Sequence, residues 1–574
     1  MTDIPAPDRR PAATEILGHP RGLAICFLTE MWERFSYYGM RALLIFYLTQ
    51  HFLFEQSEAS FIYGTYISLV YITPVIGGFL ADKYLGSRKA VTLGAILLVI
   101  GHAGMALEGA GSKEFLLIDG TEHEVISEGR ADTRQSYLKI GDERAALKPT
   151  AEGFKISGEN AALPDVLAPG SFERRVETDQ TILMLFYLSL AFIIAGVGFL
   201  KANISTIVGA LYEPGDGRRD AGFTIFYMGI NLGSFLAVLT CGYLGEVYGW
   251  AYGFGLAGIG MLLGLIVFQW GQPWLEGRAD PSDPAKLSEP GLLFLNKEWT
   301  IYVSSLAVVA AAFALIQFRQ VVEVLQYSAV AIVFGLLIWY SVRKCTPDDR
   351  DRMLVAVFLT LCQLPFWALF EQAGSSINLF TRDAVDRSFF GGEIPATTFL
   401  SLNAFFIFTL APVFAFGWVW LSRRGLEPST PMKFALALMQ VGLGFLVLVL
   451  GIEAGAEGAK VAAIWVVLLY LLHTTGELCL SPVGLSMITK LSVARVVGAM
   501  MGGWMLAQAL AGFLAGQIAA ATGAETIGGQ ITDLSAAKAG YADVYSQIGW
   551  VSIGCGAVIL VLVPLLKKRM HGTH

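Results

Sequence analysis

Apolar stretches of about twenty residues, each long enough to cross a bilayer, recur along the whole 574-residue chain. Backbone that enters lipid finds no water and must bond to itself, so such stretches are read as helices. Fourteen are legible, with cores near 22–49, 60–80, 89–108, 181–211, 221–244, 250–270, 299–318, 325–343, 353–375, 396–421, 431–452, 460–489, 497–521 and 544–567. Only 15% of the residues are charged, against about 25% in soluble domains. No basic low-complexity tail or zinc-finger spacing points to nucleic acid. The expected class is an all-α polytopic membrane protein.

Lysine and arginine set the orientation. The stretches "ADKYLGSRK", "GDGRRD", "RKCTPDDRDR", "SRRG" and "KKRMHG", with the N-terminal tail, carry far more of them than the alternate loops. Both termini are therefore expected in the cytoplasm, with the chain spanning a bacterial cytoplasmic (inner) membrane many times. The N-terminal tail lacks the short apolar core and cleavage site of a secretory signal, so the first span is expected to stay as an anchor. Two inserts interrupt the pattern. Residues 109–180 are polar, and "EFLLIDG", "SYLKIGDE" and "GFKISGE" set β-formers beside turn residues. They are read as a small periplasmic β-rich appendage, with a disordered loop as the alternative. The second insert is a pair of helices near 299–343. The expected division is a six-helix bundle over 1–270, a linker with two extra helices over 271–348, and a second six-helix bundle over 349–574.

"LTEMWERFSYYGMR", Leu28 to Arg41, puts four charges inside the first span. A charge at the centre of a membrane helix costs on the order of 2.5–3.5 kcal/mol on insertion scales. Glu30, Glu33, Arg34, Tyr37 and Arg41 follow the helical period and share one face. That face must look into the bundle or a water-filled cavity. A static ion cluster between helices is the bland alternative. Further polar side chains in apolar spans are Lys201, Asn231, Glu371, Asn403, His473 and Glu477. The first half thus offers mainly cations, Arg34, Arg41 and Lys201, and the second half offers Glu371 and Glu477. A cavity between them suits a small zwitterion, since arginine can clamp a carboxylate with two hydrogen bonds. His473 and Glu477 stand four apart, a spacing that could hold a metal. There is no His-Glu-x-x-His, so they are read as a packing histidine beside a binding-site glutamate. No metal, cofactor or catalytic residue is expected.

With the extra pair set aside, the two sixes echo each other. "YITPVIGGFLADKYLGSRK" and "TLAPVFAFGWVWLSRRG" both show Pro-Val, then glycine, then a basic turn. Six-plus-six repeats mark the major facilitator architecture. "GGFLADKYLGSRK", with Asp82, Gly86, Arg88 and Lys89, resembles that superfamily's loop between spans two and three. "EMWERF" followed by "SYYG", then "KANIS", "FYMGINLGS" and "FWALFEQAGS", resemble the proton-dependent oligopeptide transporter family over nearly the whole chain except the tail and 109–180.

The resemblance implies uptake of di- and tripeptides driven by an inward proton gradient, with the bilayer as the only other partner and no obligate protein partner. It implies that Arg34, Arg41 and Lys201 meet the peptide carboxylate, and that Asn231, Asn403 and Glu477 meet its amine and backbone, with Ser481 a further substrate-binding residue. Tyr37, Tyr38, Tyr71 and Trp504 would shape side-chain pockets. Glu30, Glu33 and Glu371, with Arg34, would carry the proton coupling. Arg41 with Glu371 would close the outer side, and Lys201 with Glu477 or with Glu30 and Glu33 the inner side. Ala202 and Ala404 stand where relatives usually have proline, and Gly64 where animal relatives place a proton-linked histidine. A transporter of another small anionic or zwitterionic substrate, and a non-transporting peptide sensor, are the competing readings.

Overall fold

Each apolar stretch closes its own hydrogen bonds as a helix in the computed structural model, which describes residues 15–150, 153–157, 163–168, 170–213, 215–281, 283–456 and 458–572. The tail before residue 15 and, within the 109–180 insert, residues 151–152, 158–162 and 169 lie outside the described residues. The first bundle consists of α1 (Gly22–Gln50), α2 (Gln56–Leu80), α3 (Gly86–Met105), α4 (Gln180–Ala210), α5 (Arg219–Ala237) and α6 (Trp250–Gly271). Then come α7 (Lys297–Gln317) and α8 (Arg319–Lys344). The second bundle is α9 (Pro347–Phe370), α10 (Ser401–Arg423), α11 (Thr430–Ala454), α12 (Ala463–Leu491), α13 (Val497–Ala521) and α14 (Leu534–Arg569). The fourteen-helix major facilitator arrangement is the one expected.

Hydropathy alone sees twelve long apolar segments among the described residues, one of which, Gln56–Met105, contains both α2 and α3. The remaining helix, α1, is hidden from that measure by its own charges. The last helix begins ten residues before its apolar core. Its start is fixed by Asp533, whose carboxylate accepts from the Ser535 and Ala536 amides at 2.7 and 3.0 Å, the usual N-cap chemistry.

Each bundle has its own core. Leu43, Phe46, Ile67, Val197 and Phe254 are buried in the first, and Leu359, Phe366, Leu438, Phe445 and Ala507 in the second. The extra pair straddles the cleft, with α7 against α4 and α8 against α9 and α13. Large apolar side chains such as Ile266, Leu306, Ile332 and Val561 stay exposed on the outside of the bundle, as lipid contact requires.

Residues 113–177 fold as an antiparallel seven-stranded sheet: β1 (Lys113–Ile118), β2 (Thr121–Glu128), β3 (Gln135–Ile140), β4 (Glu143–Thr150), β5 (Gly153–Ser157), β6 (Val166–Leu167) and β7 (Glu173–Glu177). Their order across the sheet is β6-β5-β4-β3-β2-β1-β7. Its core of Leu116, Leu138, Phe154 and Leu167 also takes in Ile527, from the connection between α13 and α14. The Gly528 amide donates to Glu114 at 2.5 Å, and Arg134 donates to the Gly528 and Gln50 carbonyls at 2.9 and 3.1 Å. Burial, then repulsion from Arg382 and Arg130, pulls the Arg134 guanidinium down to about 10, so it remains charged at neutral pH. A sheet inserted in the first half therefore grips the second half.

Other contacts between the halves gather at this sheet end. Asn378 donates to the Ala42 carbonyl at 3.1 Å, Gln56 to Asp383 at 2.9 Å, and Arg382 to Thr49 at 3.1 Å. Here α2 crosses α13 glycine on glycine. A Cβ placed on Gly64 would lie 2.5 Å from the Gly516 Cα, so no side chain fits. Gly64→Val is expected to cost about 1–3 kcal/mol through overpacking, read as a lower melting temperature of the purified protein. An unchanged melting temperature would show that the crossing is loose.

Candidate functional site

Between the halves lies a cavity of about 180 Å³. Helix α1 lends it Tyr38 and Arg41, α2 Tyr71, and α5 Tyr227 and Asn231. The second half faces these with Trp367, Phe370, Glu371, Asn403, Tyr470, His473 and Glu477.

Glu371 owes its position to a break in the chain. Helix α9 stops at Phe370, Glu371–Gly374 form a 3-10 turn, and a second helix, Ser376–Ala384, begins after Ser375. The carboxylate thus sits at the kink and points at the other half. It forms an ion pair with Arg41 Nη2 and accepts from the Tyr71 hydroxyl at 3.4 Å. Arg41 is held from its other side, where Nε donates to the Tyr63 hydroxyl at 2.6 Å. Its guanidinium also lies 6.0 Å and 5.8 Å from the Tyr38 and Tyr63 ring centroids, cation–π distances.

Across the cavity, Asn403 Nδ2 donates to Glu477 at 2.9 Å and to Thr474 Oγ1 at 3.1 Å. The amide orients the Glu477 carboxyl group, and among the described residues no cation stands within 4 Å of it. Asn231 bonds back to the Tyr227 carbonyl of its own helix at 3.0 Å.

The charged stripe of α1 continues below the cavity. Arg34 Nε lies 2.9 Å from Glu30 and 2.5 Å from Glu33. All three are buried, at 4%, 3% and 1% exposure, so this is one cation shared by two carboxyl groups in a low-dielectric interior. Glu30 Oε2, Glu33 Oε1 and Arg34 Nη2 are buried with no hydrogen-bond partner among the described residues. Buried polar atoms without partners are rare in folded proteins. Lys201 of α4 acts electrostatically on both carboxylates. Among the described residues it makes no ion pair within 4 Å, and its ammonium rests 4.4 Å from the Tyr71 ring centroid. Tyr71 therefore touches both Lys201 and Glu371, linking the triad region to the Arg41–Glu371 pair.

Of the residues expected at the site, Tyr38, Arg41, Tyr71, Asn231, Glu371, Asn403 and Glu477 line the cavity. Glu30, Glu33, Arg34, Tyr37 and Lys201 lie behind this wall. Ser481 and Trp504 are elsewhere. Ser481 Oγ is buried without a partner among the described residues. Trp504 packs its ring over Gly484, and its carbonyl accepts from Gln363 at 3.2 Å, so it packs α13 against α12 and is not among the residues that line this cavity. Neither pairing expected for Lys201, with Glu477 or with Glu30 and Glu33, is closed. Four aromatic lining residues were missed. Helical spacing puts Tyr227, Trp367 and Tyr470 on the faces of Asn231, Glu371 and Glu477, at four, four and seven residues, but many other aromatic residues share such spacings, and Phe370, adjacent to Glu371, does not. Among the described residues no group of three His, Cys, Asp or Glu side chains could hold a metal ion.

The comparisons with known proteins agree with this architecture. The family model described as the POT family matches residues 88–534. "Uncharacterized transporter YclF" of Bacillus subtilis (strain 168) is 33% identical over 97% of this chain and 96% of its own length. "Peptide transporter YePEPT" of Yersinia enterocolitica subsp. palearctica serotype O:3 (strain YE-P4) is 32% identical over 98% of each chain. A crystal structure of a mutant peptide transporter POT in complex with alafosfalin covers 97% of each chain at 31% identity and a TM-score of 0.73.

Proposed function

This chain belongs to the POT family, and on that premise we propose that it imports di- and tripeptides together with protons, by alternating access around the cavity between its halves. The observation that carries the reading is the Arg41–Glu371 ion pair, which joins the two halves at the cavity wall. The named peptide transporters among its relatives, and the one with alafosfalin bound, support the substrate class.

In this reading the sheet end faces the periplasm of a bacterial inner membrane, and both termini face the cytoplasm. Peptide carboxylate is drawn to Arg41, within the field of Arg34 and Lys201. Peptide amine is drawn to Glu477, held ready by Asn403. Tyr38, Tyr71, Tyr227 and Trp367 supply adaptable walls for varied side chains. A proton on Glu371 removes the charge that holds Arg41, and the outer mouth opens. When that proton leaves Glu371 for the carboxyl groups of Glu30 and Glu33, the outer pair re-forms and the outer mouth shuts. Each step needs a few kcal/mol of bias, within the range of one buried ion pair made or lost.

The test is accumulation of labelled dialanine in proteoliposomes under an inward proton gradient, with Glu33→Gln in parallel. The expected result is uphill uptake by the natural protein and at least a tenfold loss in the variant, while exchange of unlabelled for labelled peptide persists. Binding without accumulation by the natural protein would favour the sensor reading, and no response to dialanine would favour a different zwitterion.

A further inference from the structure

Helix α5 does not end at Ala237. It passes through a π turn, Val238–Gly242, into a short helix, Tyr243–Val247. That extension carries Glu246, a carboxylate at 6% exposure within an apolar run. Among the described residues it makes no ion pair within 4 Å. Both of its oxygens instead reach across to the other half, where Oε1 accepts from the Thr397 amide at 2.8 Å and Oε2 from the Ala396 amide at 3.2 Å. Those amides open the 3-10 turn Ala396–Leu400 that runs directly into α10. The first amides of a helix have no partner of their own, and the dipole there favours an anion. Here the cap comes from the opposite bundle. The approach is close: a Cβ on Gly242 would lie 2.5 Å from Thr397 Oγ1.

We propose that Glu246 is a second lock of the outer mouth, a positioning residue that caps α10 across the halves and holds the sheet end shut where α5 meets α10. The proposal rests on the alternating-access reading above. The two flanks need separate fasteners because α2 meets α13 on one side and α5 meets α10 on the other. The Arg41–Glu371 salt bridge joins neither pair of helices, since it ties α1 to the turn after α9. A carboxylate on a helix start closes the α5–α10 flank. Parting the halves exposes a bare carboxylate and bare amides to water together, so the contact is made only in the outer-closed state.

Hydrogen–deuterium exchange of the full-length protein in lipid nanodiscs tests this, with Glu246→Gln, Glu246→Ala and Arg41→Ala compared with the natural protein. Loss of charge-assisted bonds is expected to raise exchange at the sheet end, around residues 392–402 and 63–71, about tenfold. Exchange at the opposite end, around 75–85 and 409–420, is expected to fall as that end closes. Glu246→Gln, which keeps one acceptor oxygen, should show a smaller shift of the same sign. A rise at both ends would mean that Glu246 is structural only, and no change would mean that the cap holds nothing; either overturns the lock. Arg41→Ala calibrates the reading. If it too fails to give opposite changes at the two ends, alternating access falls and the second lock falls with it.

Discussion

Glu371→Gln is expected to abolish uphill peptide accumulation while leaving exchange running. The glutamine has the shape of the carboxyl group and the charge of its protonated form. It therefore stands in for one half of the transport cycle and cannot supply the other. Arg41, part-buried between Tyr38, Tyr63 and Glu371, loses its only ion-pair partner among the described residues. Removing one member of a buried pair typically costs about 3–5 kcal/mol, because the remaining charge is left uncompensated. That penalty falls on the empty outer-closed state, where no peptide carboxylate is present to take the place of Glu371. Loaded protein, with peptide on Arg41, is spared. Net uptake requires the empty carrier to return, whereas exchange does not. Gradient-driven accumulation of dialanine should fall by more than about a hundredfold, the factor that 3 kcal/mol represents. Counterflow should fall by far less. If both fall together, Glu371 supports the fold of the α9 kink instead of the coupling.

The membrane architecture was legible because lipid imposes a pattern that can be counted, and the charged stripe was legible because it violates that pattern. In α1 the period of Glu30, Glu33 and Arg34 predicted a shared face, and the side chains do meet. Contacts between distant residues were not legible. The sheet's hold on Gly528 joins Ser127 to a residue 401 positions away, and nothing local announces it. Nor did helix periodicity show where α9 breaks at Glu371, although Gly374 and the serines after it are the residues that permit the break. The cavity's aromatic lining was hidden by abundance, since 12% of the chain is aromatic and a tyrosine near a polar residue carries little information. Trp504 and Ser481 were assigned to the wall by resemblance, and packing against Gly484 and Gln363 keeps Trp504 away from it. Glu246 escaped notice for the opposite reason. It lies near the end of a span, where a lone glutamate is ordinarily a solvated loop residue.

Arg34→Ala is expected to be the most damaging single change in α1, and its rescue separates folding from coupling. The alanine leaves Glu30 and Glu33 buried side by side without the cation that touches both. Breaking a buried ionic group by removing one partner costs about 3–5 kcal/mol, a large fraction of the roughly 5–15 kcal/mol that holds a typical domain together. Little folded protein should be recovered, and its melting temperature should fall steeply. Arg34→Lys should restore only part of this, because a compact ammonium cannot serve two carboxylates from the side as the Nε edge of a guanidinium does. Neutralising the whole triad is different. Replacing a complete buried ion cluster by neutral groups of similar size is often tolerated, so Arg34→Leu combined with Glu30→Gln and Glu33→Gln should bring back most of the melting temperature. It should not bring back uphill transport. If the triad merely ties helices together, the triple variant will accumulate dialanine under a proton gradient as the natural protein does. If the carboxylates carry the proton, the triple variant will fold, bind peptide and fail to concentrate it.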